Sequence, residues 1–586
     1  MKLYKADLHV HSEYSKIEGG ALKRITHSES YTPPEEIYRI AKKRGMDFVT
    51  ITDHNSIQGA LKISHFDDVF ISEEVTTKFP EDGCEIHLVT LKINEKQHRE
   101  IQLLRNNVYE LRDYLNSQSI IHFVAHPFSS VNGKLKQEHW EKMLLLFDVF
   151  EVKNGIQKEK DNNLVEQILK NLSRERIERL IDQYGILPES ETPWKKSMVG
   201  GSDDHGGLYI GQTYTAGEGP GLKDFLKSIK DGKCRAEGKS GTCFTIGHSI
   251  YATGYKFYKY KLRKRRRILK FLDKLINDER KGKILEKVLL RNGQGKVSIF
   301  PRRFFISYFI KKFSKKMPFL HTLRAIDKIN KNIPLSTALF PYFFGLAYQN
   351  KDRDITKKVK LGYLGQGESL KVAIFTDFIE NEKNFLSSFI SKINSSLNGE
   401  KLKILCCDKR KIFSSNGIKT FHSMVDFPFP LYPEINFHIP SLLDILLYCE
   451  QEEFTLIHTL TPGPMGIVSI IISRILKLPL IGTYQIDFVK LLSSSTKNES
   501  LKNMAWRYLN WYYTQMDKIF TLQRYVQQLR EKNIPEEKIK IIDTEKEYSP
   551  SSNPDFPFAQ ILDTFFKKNT FNQIWRAYEE IYMKER

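Results

Sequence analysis

The stretch Ala6-Asp7-Leu8-His9-Val10-His11 decides how the first part of the chain is interpreted. It is a short apolar run that predicts a β-strand, and its two histidines stand at positions i and i+2. Side chains alternate between the faces of a strand, so His9 and His11 point to the same side and can bind one metal ion. Two histidines in a strand are also common in structural positions, so the interpretation depends on whether the pattern recurs.

Short apolar runs do recur along residues 1–245, and helical patterns separate them. The seven runs are residues 6–11, 47–54, 68–74, 85–91, 120–126, 148–154 and 198–205. The first intervening helix is predicted after Thr32, which suits an N-cap and is followed by Pro33. Strands that alternate with helices predict parallel β/α units. Seven such strands predict an α/β fold with a closed barrel.

Nearly every run ends in, or just before, a residue of a type that binds metals. These residues are His9, His11, Asp53, His54, Glu73, Glu74, His126, Asp203 and His205, and His87 lies inside the fourth run. The carboxyl ends of the strands of a parallel β/α barrel meet at one mouth, so these side chains are expected to lie close together. A mixed set of histidines and carboxylates suits Zn²⁺, Mn²⁺ or Fe²⁺.

These segments resemble the polymerase and histidinol phosphatase (PHP) domain. The matching pieces are residues 7–12, 52–54, 74–76, 125–127 and 201–205. The resemblance implies a distorted seven-stranded barrel with up to three divalent ions. It implies one ion held by His9, His11, Glu74 and Asp203, a second by Glu74, His87 and His126, and a third by Glu18, His54 and His205. Strand alternation does not separate Glu73 from Glu74, and only the family match favours Glu74. Asp53 is a candidate for orienting a ligand.

The predicted activity is hydrolysis of a phosphomonoester or phosphodiester through a metal-activated hydroxide at a trinuclear site. Clustered divalent ions lower the pKa of a bridging water and clamp phosphoryl oxygens during in-line displacement. The predicted catalytic residues are His54, His205 and Asp203, with either histidine a candidate general acid. The remaining histidines of this segment match no motif and are interpreted as structural: His65, His98, His122 and His139.

All the excess positive charge of the chain lies in its middle. The 586 residues have a net charge of +21, and residues 231–350 contain 28 Lys+Arg against 7 Asp+Glu, which is the whole excess. Basic and aromatic residues interleave from 256 to 316, which fits a solvated helical face or an anionic membrane surface. Nucleic acid is disfavoured because no matching signature accompanies the charge. The uncharged stretch 332–350 is predicted to be buried or interfacial.

A second α/β unit is predicted from about residue 371, with strands at 371–377, 402–406, 455–458, 480–484 and 518–520. Helices are predicted at 441–450 and 465–476, which together indicate a Rossmann-like sheet. Residues 371–545 resemble the N-terminal lobe of family-four GT-B glycosyltransferases, through 372–377, 429–435, 461–466 and 482–488. The glycines expected after the first strand are absent, and Gln485 replaces the family's histidine. The resemblance implies that the second, nucleotide-sugar lobe is missing and that residues 570–584 are a last helix.

The sequence therefore predicts three domains: a PHP phosphoesterase barrel at 1–245, a basic helical connector at 246–365 and a glycosyltransferase-like lobe at 366–586. The six cysteines lack CxxC spacing and indicate reduced thiols, and no signal peptide is recognised. The expected location is cytoplasmic, with attachment to the inner membrane face as a variant. The alternatives are a component of a glycosyltransferase system with a glycan-synthesis partner protein, and a membrane-surface scaffold.

Overall fold

The structure is a computed structural model of the 586-residue chain. It describes residues 2–16, 28–261, 335–365, 367–377, 401–408, 414–415, 417–429, 432–485, 499–542 and 568–584. The chain divides into two compact units. Unit 1 comprises Met1–Pro301 and Pro334–Gly367, and unit 2 comprises Arg302–Ile333 and Glu368–Arg586. The α/β class predicted for the chain is confirmed.

The strands of unit 1 form two sheets in the part of the chain that is described. They are β1 (Leu3–Ala6), β2 (Ser72–Lys78), β3 (Glu85–Leu91), β4 (Ile121–Val124), β5 (Val149–Asn154), β6 (Ser197–Gly201), β7 (Thr213–Glu218) and β8 (Cys234–Gly238). One sheet has the order β1-β7-β8 and the other the order β2-β3-β4-β5-β6. Strands β4, β5 and β6 are parallel to one another.

The predicted barrel of seven parallel strands is not confirmed. Strand β1 is antiparallel to β7, and β3 is antiparallel to both β2 and β4. Only six residues connect β2 to β3, and such a short connection permits an antiparallel hairpin but no parallel crossover. The predicted strand at 47–54 is reduced to isolated bridges at Val49 and His54.

The helices of unit 1 lie outside these sheets, and several of them begin at a capping residue. They are α1 (Pro34–Lys43), α2 (Gln58–Ile63), α3 (Glu95–Leu104), α4 (Val108–Ser117), α5 (Gln137–Leu146), α6 (Glu159–Lys170), α7 (Arg174–Tyr184), α8 (Leu222–Lys230), α9 (Cys243–Lys261), α10 (Leu335–Gln349) and α11 (Arg353–Leu364). Pro34 opens α1, and the Asn94 side chain caps α3 in a reciprocal capping box with Gln97.

The last two helices of unit 1 come from the segment predicted as a connector. Tyr342 of α10 is buried against α9, with its ring 5.4 Å from that of Phe244. Ile355 and Val359 of α11 belong to the same core cluster as Trp140. Part of the uncharged stretch 332–350 is therefore a packed helix, whereas residues 262–334, with most of the basic run, lie outside the described residues.

Unit 2 contains a mainly parallel sheet. Its strands are β9 (Val372–Phe375), β10 (Leu402–Asp408), β11 (Ser414–Ser415), β12 (Ile418–Phe429), β13 (Tyr432–Pro440), β14 (Leu456–Thr459), β15 (Leu480–Tyr484), β16 (Lys518–Thr521) and β17 (Ile539–Ile541). The order is β11-β12-β10-β9-β14-β15-β16-β17, with β13 paired to β12. All neighbours from β12 to β17 along this order are parallel. This is the Rossmann-like arrangement that the sequence predicts; the β12–β13 hairpin is an addition that it does not.

The helices of unit 2 are α12 (Leu442–Gln451), α13 (Pro464–Leu476), α14 (Glu499–Thr514), α15 (Gln523–Glu531) and α16 (Lys568–Lys584), with a 3₁₀ turn at Glu536–Lys538. Helix α16 packs on the sheet through Ile574 and Tyr578, in one core cluster with Val372 and Ile374. Among the helices described in either unit, none combines the length and hydrophobicity needed to cross a bilayer.

Candidate metal centre

Two backbone pairings in unit 1 bring the predicted ligands together. Val10 bridges Asp204 in parallel register, and the Asp203 N–H donates to the carbonyl of His9. This pairing places His9 and His11 beside Asp203. His54 bridges Glu74 in the same way, because residues 53–55 run along β2. Residues more than 190 positions apart therefore share one edge of the fold.

Glu74 is the centre of the cluster. Its Oε2 lies 3.2 Å from His9 Nε2, 3.3 Å from His11 Nε2 and 3.0 Å from His54 Nδ1. Its Oε1 lies 2.7 Å from His87 Nδ1 and 3.1 Å from His126 Nε2. A single buried carboxylate thus faces five imidazole rings, as a bridging ligand between ions would.

Asp203 closes the other side of the cluster. Its Oδ1 lies 3.5 Å from His9 Nε2, 3.3 Å from His11 Nε2 and 3.6 Å from His205 Nδ1. The rings of His11 and His205 stack with centroids 4.2 Å apart. Eight of the nine predicted ligands are therefore adjacent; the ninth, Glu18, lies outside the described residues.

The cluster contains buried polar atoms that find no hydrogen-bond partner. They are His9 Nε2, His11 Nε2, His54 Nδ1, His87 Nδ1, His126 Nδ1 and Glu74 Oε2. Leaving such atoms unpaired costs free energy, whereas a cation placed among them would satisfy several at once. Sets such as His9, His11 and Glu74 have ligand atoms within 4.8 Å of one another. The residues present fit divalent metal ions with nitrogen and oxygen ligands.

The pKa shifts of the histidines differ in direction. Burial lowers the pKa of His11 and His87, whereas in His9, His54 and His205 the facing carboxylates outweigh burial and raise the pKa. Burial and the neighbouring His205 lower the pKa of His11 to about 3, so its ring is neutral at pH 7. Burial would raise the pKa of Glu74, but His87, His54 and His9 outweigh it and hold this pKa well below its usual range. A neutral His11 beside an ionised Glu74 has the ligand forms that metal binding requires.

Glu29 occupies the place expected of a carboxylate ligand to a third ion. Its Oε2 lies 3.2 Å from His54 Nε2 and 3.6 Å from His205 Nε2. Residues 11–32 contain three glutamates, Glu13, Glu18 and Glu29, and spacing alone cannot rank them. The prediction named Glu18, which lies outside the described residues, and did not name Glu29, because spacing alone does not show that Glu29 reaches the two histidines.

Glu151 is a second residue that sequence reasoning missed. It is buried at β5, where its Oε1 accepts a hydrogen bond from His9 Nδ1 at 3.1 Å and its Oε2 accepts from the His126 N–H at 2.8 Å. Asn154 Nδ2 donates to Glu151 and to Asp203 Oδ2, at 2.9 and 3.1 Å. Because Glu151 accepts the hydrogen bond from His9 Nδ1–H, the Nε2 lone pair of that ring faces the cluster.

The structure also separates the two adjacent glutamates. Glu74 faces the histidines, whereas the Glu73 carboxylate lies on the other face of β2, 2.9 Å from His98 Nδ1 and 2.9 Å from Gln102 Nε2. Asp53 accepts hydrogen bonds from the backbone N–H and the hydroxyl of Ser12. It therefore holds the segment after His11 instead of facing the cluster.

Two of the cluster residues have a backbone conformation that is unusual outside glycine. His126 has φ +29° and Asp203 has φ +52°. Such conformations cost on the order of 1–3 kcal/mol and persist where the surroundings hold them, most often at functional sites. Both residues follow the end of a strand, where this backbone conformation directs the side chain toward the cluster.

Unit 2 has a separate polar crevice at the carboxyl edge of its sheet. Strands β10 and β14 lie on opposite sides of β9, so the strand order reverses there. Doubly wound sheets bind ligands at such a position. Asp377 lies buried there, accepting from the Thr461 hydroxyl at 2.6 Å and from the Met465 N–H, at the start of α13, at 2.8 Å. Gln485, after β15, is buried with both amide atoms unpartnered.

Comparison with known proteins gives a family match for part of unit 2. The profile of Glycosyltransferase Family 4 matches residues 398–544, which confirms the predicted resemblance over that part of unit 2. The chain is also 29% identical over 132 residues to the uncharacterized protein MJ1587 of Methanocaldococcus jannaschii, covering 22% of this chain and 70% of that protein.

Three solved structures overlap part of the chain. PsfC of Pseudomonas syringae is 14% identical, with 45% of this chain and 100% of that chain covered and a TM-score of 0.27. An amidohydrolase of Chromobacterium violaceum is 15% identical, with 39% and 97% covered and a TM-score of 0.26. A candidate metal-dependent phosphoesterase of Bifidobacterium adolescentis is 14% identical, with 39% and 96% covered and a TM-score of 0.22. At these TM-scores the overlap assigns neither a fold family nor an activity to this chain.

Proposed function

We propose that unit 1 is a metal-dependent phosphoesterase that hydrolyses a phosphomonoester or phosphodiester. The observation that carries the proposal is the position of Glu74, which is buried with its two oxygens against five histidines, four of whose facing nitrogens lack hydrogen-bond partners. A PHP-like barrel at residues 1–245, completed by α9, α10 and α11, is the domain assignment that this proposal implies.

Divalent ions bound here would polarise a phosphoryl oxygen and lower the pKa of a water molecule, which is the chemistry that phosphate ester hydrolysis needs. The chain supplies the ligands. His9, His11, Glu74 and Asp203 would hold one ion, Glu74, His87 and His126 a second, and Glu29, His54 and His205 a third. Zn²⁺, Mn²⁺ and Fe²⁺ all suit this mixture of nitrogen and oxygen donors.

The hydrogen bonds of the rings define what each histidine can do. His205 Nδ1 donates to the carbonyl of Asp203 at 3.0 Å, which leaves the Nε2 lone pair for an ion. A ring that ligates through this nitrogen cannot donate a proton from it to a leaving group. We therefore assign His54, His205 and Asp203 primarily to metal binding, and a general-acid role of either histidine is restricted to a step in which its ring is unliganded.

The test compares Glu74→Gln with Glu73→Gln, which changes the adjacent buried carboxylate on the opposite face of β2. Glu74→Gln is expected to abolish stoichiometric metal binding and metal-dependent hydrolysis of an aryl phosphate, because it removes the bridging charge. Glu73→Gln is expected to keep both. Metal content by elemental analysis and hydrolysis with Mn²⁺ or Zn²⁺ are the readouts, and equal behaviour of the two variants would overturn the proposal.

A second candidate function is supported by the family match of residues 398–544. Unit 2 would bind an acceptor glycan or glycolipid for a partner enzyme, and unit 1 would be accessory to it. A His9→Ala/Asp203→Ala chain distinguishes the two. If these substitutions of metal ligands abolish the cellular function of the protein, the result favours the phosphoesterase. If the glycan product is unchanged, the result favours the second candidate.

A further inference from the structure

We infer that residues 349–352, here called the return turn, position the loop that follows His126 and thereby tune the metal centre. The return turn connects α10 to α11 and is reached only after the basic segment 262–334. The inference rests on the metal site of the proposed function. It extends that site to a part of the chain that the sequence had placed in a connector.

The return turn engages both backbone groups of one loop residue. The Ser130 N–H donates to Asp352 Oδ2 at 2.9 Å, and Lys351 Nζ donates to the carbonyl of Ser130 at 2.8 Å. Ser130 is 5% exposed. Removing either partner would therefore leave a buried backbone group without its hydrogen bond.

Asp352 makes this contact in place of a more usual one. It is the N-cap residue of α11, yet its side chain makes no capping hydrogen bond to that helix. An N-cap aspartate ordinarily accepts from the second or third N–H of its own helix. Here the carboxylate is directed to Ser130, a residue 222 positions earlier.

The loop so held begins at a metal-site residue with a strained backbone. His126 has φ +29°. Its N–H donates to Glu151 Oε2, and its carbonyl accepts from the Ser129 N–H at 2.8 Å. Glu151 therefore fixes the backbone at His126. The return turn fixes the same loop at Ser130, four residues later. A strained residue fixed on both sides keeps its ring directed at Glu74.

The return turn also reaches the loop after β5. Gln349 Nε2 donates to the carbonyl of Ile156 at 2.7 Å, and Lys158 Nζ donates to Asn350 Oδ1 at 2.8 Å. This loop follows Asn154, whose side chain binds Asp203 and Glu151. The same four residues therefore hold the loops adjoining two parts of the cluster.

The test uses the full chain with Asp352→Ala and the conservative Asp352→Asn. The matched control is Asp182→Ala, an exposed residue of α7. Asp352→Ala is expected to weaken Mn²⁺ binding about tenfold, the lower range for residues that hold metal ligands. Asp352→Asn should restore much of the affinity, because its amide oxygen can still accept from Ser130. Asp182→Ala should match the unmutated chain.

The readouts are the Mn²⁺ dissociation constant, by competition with a chromophoric chelator, and the visible spectrum of the Co²⁺-loaded chain. A changed Co²⁺ spectrum supports positioning, because a loss of stability alone would not alter ligand geometry. Unchanged metal affinity in Asp352→Ala overturns this inference alone, whereas no metal binding by the unmutated chain overturns the proposed function with it. Should Asp352→Ala not fold, Lys351→Met provides the same comparison by removing the bond to the Ser130 carbonyl.

Discussion

At the residue scale, the metal centre depends on carboxylates with separate tasks. Glu74 faces the histidines, whereas Glu151 holds two of them from behind by accepting from the His9 ring and from the His126 backbone. Glu29 contacts the two histidines that Glu74 and Asp203 leave partly exposed. Each of these carboxylates faces at least one imidazole ring of the cluster.

Glu151→Gln is expected to weaken metal binding without removing any predicted ligand. The glutamine oxygen can still accept one hydrogen bond, but the charge that orients His9 is lost, so affinity should fall about 10- to 100-fold. Metal stoichiometry at saturating ion should stay unchanged. The dissociation constant from chelator competition tests this, and an unaltered constant would show that Glu151 does not tune His9.

At the scale of elements, the centre requires close approach of segments that are distant along the chain. Strand β6 ends at Gly201, where an added Cβ would lie 2.7 Å from the backbone nitrogen of His9. Only glycine lets these backbones approach this closely. The pairing that sets His9 beside Asp203 therefore depends on a residue that binds nothing itself.

Gly201→Ala should consequently impair both stability and metal binding. The methyl group must displace the His9 backbone, so the free energy of unfolding should fall by about 1–3 kcal/mol, as in other overpacked cores. Gly362→Ala is the control, because it lies on an exposed part of α11 and should be neutral or stabilising. Denaturant unfolding and metal titration of both variants give the comparison; equal results would contradict the close-approach argument.

In unit 2, Asp377 predicts a pH dependence of stability. Burial raises its pKa from the usual 3.8 to about 6, although Thr461 and Met465 donate to it. A raised pKa gives a contribution that is complete below pH 3.8 and lost as pH rises through about 6. The unmutated chain should therefore lose up to about 3 kcal/mol from this group between pH 4 and pH 7.

Asp377→Asn, which cannot ionise, removes this dependence. The free energy of unfolding of the unmutated chain minus that of Asp377→Asn should fall as pH rises from 3.8 to about 6 and level off above that. Urea unfolding at several pH values, followed by a probe in unit 2, measures the difference. A difference that does not vary with pH would show that Asp377 is not buried as described.

At the scale of the whole molecule, the two compact units differ in the sites that they contain. Unit 1 holds the histidine and carboxylate cluster, while unit 2 holds a Rossmann-like sheet with a polar crevice. The segment predicted as a connector is divided, because α9, α10 and α11 pack within unit 1. The chain therefore returns to unit 1 at Pro334–Gly367 before it forms the described part of unit 2.

This division predicts that metal ions stabilise one unit only. Ion at a hundred times its dissociation constant adds about 2.7 kcal/mol to the state that binds it. Hydrogen exchange measured with Mn²⁺ and after chelation should slow in peptides from β2 and β6 and stay unchanged in β9 and β14. A change of equal size in both units, or none in unit 1, would contradict the prediction.

The local sequence was sufficient for the ligand types and for much of unit 2. His9, His11, His54, His126 and Asp203 are recognisable because each stands where an apolar run ends, and this is a property of neighbouring residues. The unit 2 strands at 402–406 and 480–484 and the helices at 441–450 and 465–476 were predicted within a few residues, since buried parallel strands and capped helices have strong local patterns.

Only the tertiary structure decided which residues meet. Four contacts join segments that lie tens to hundreds of residues apart: those of Glu74 with His9, of Glu29 with His54, of Glu151 with His9 and of Asp352 with Ser130. The first of them distinguishes Glu74 from Glu73. The antiparallel pairs of β1, β2 and β3 also depend on connection geometry. Local sequence patterns indicate the ligand types and the ends of the strands. Which of these residues meet depends on how the sheets and loops pack, and local patterns do not contain that information.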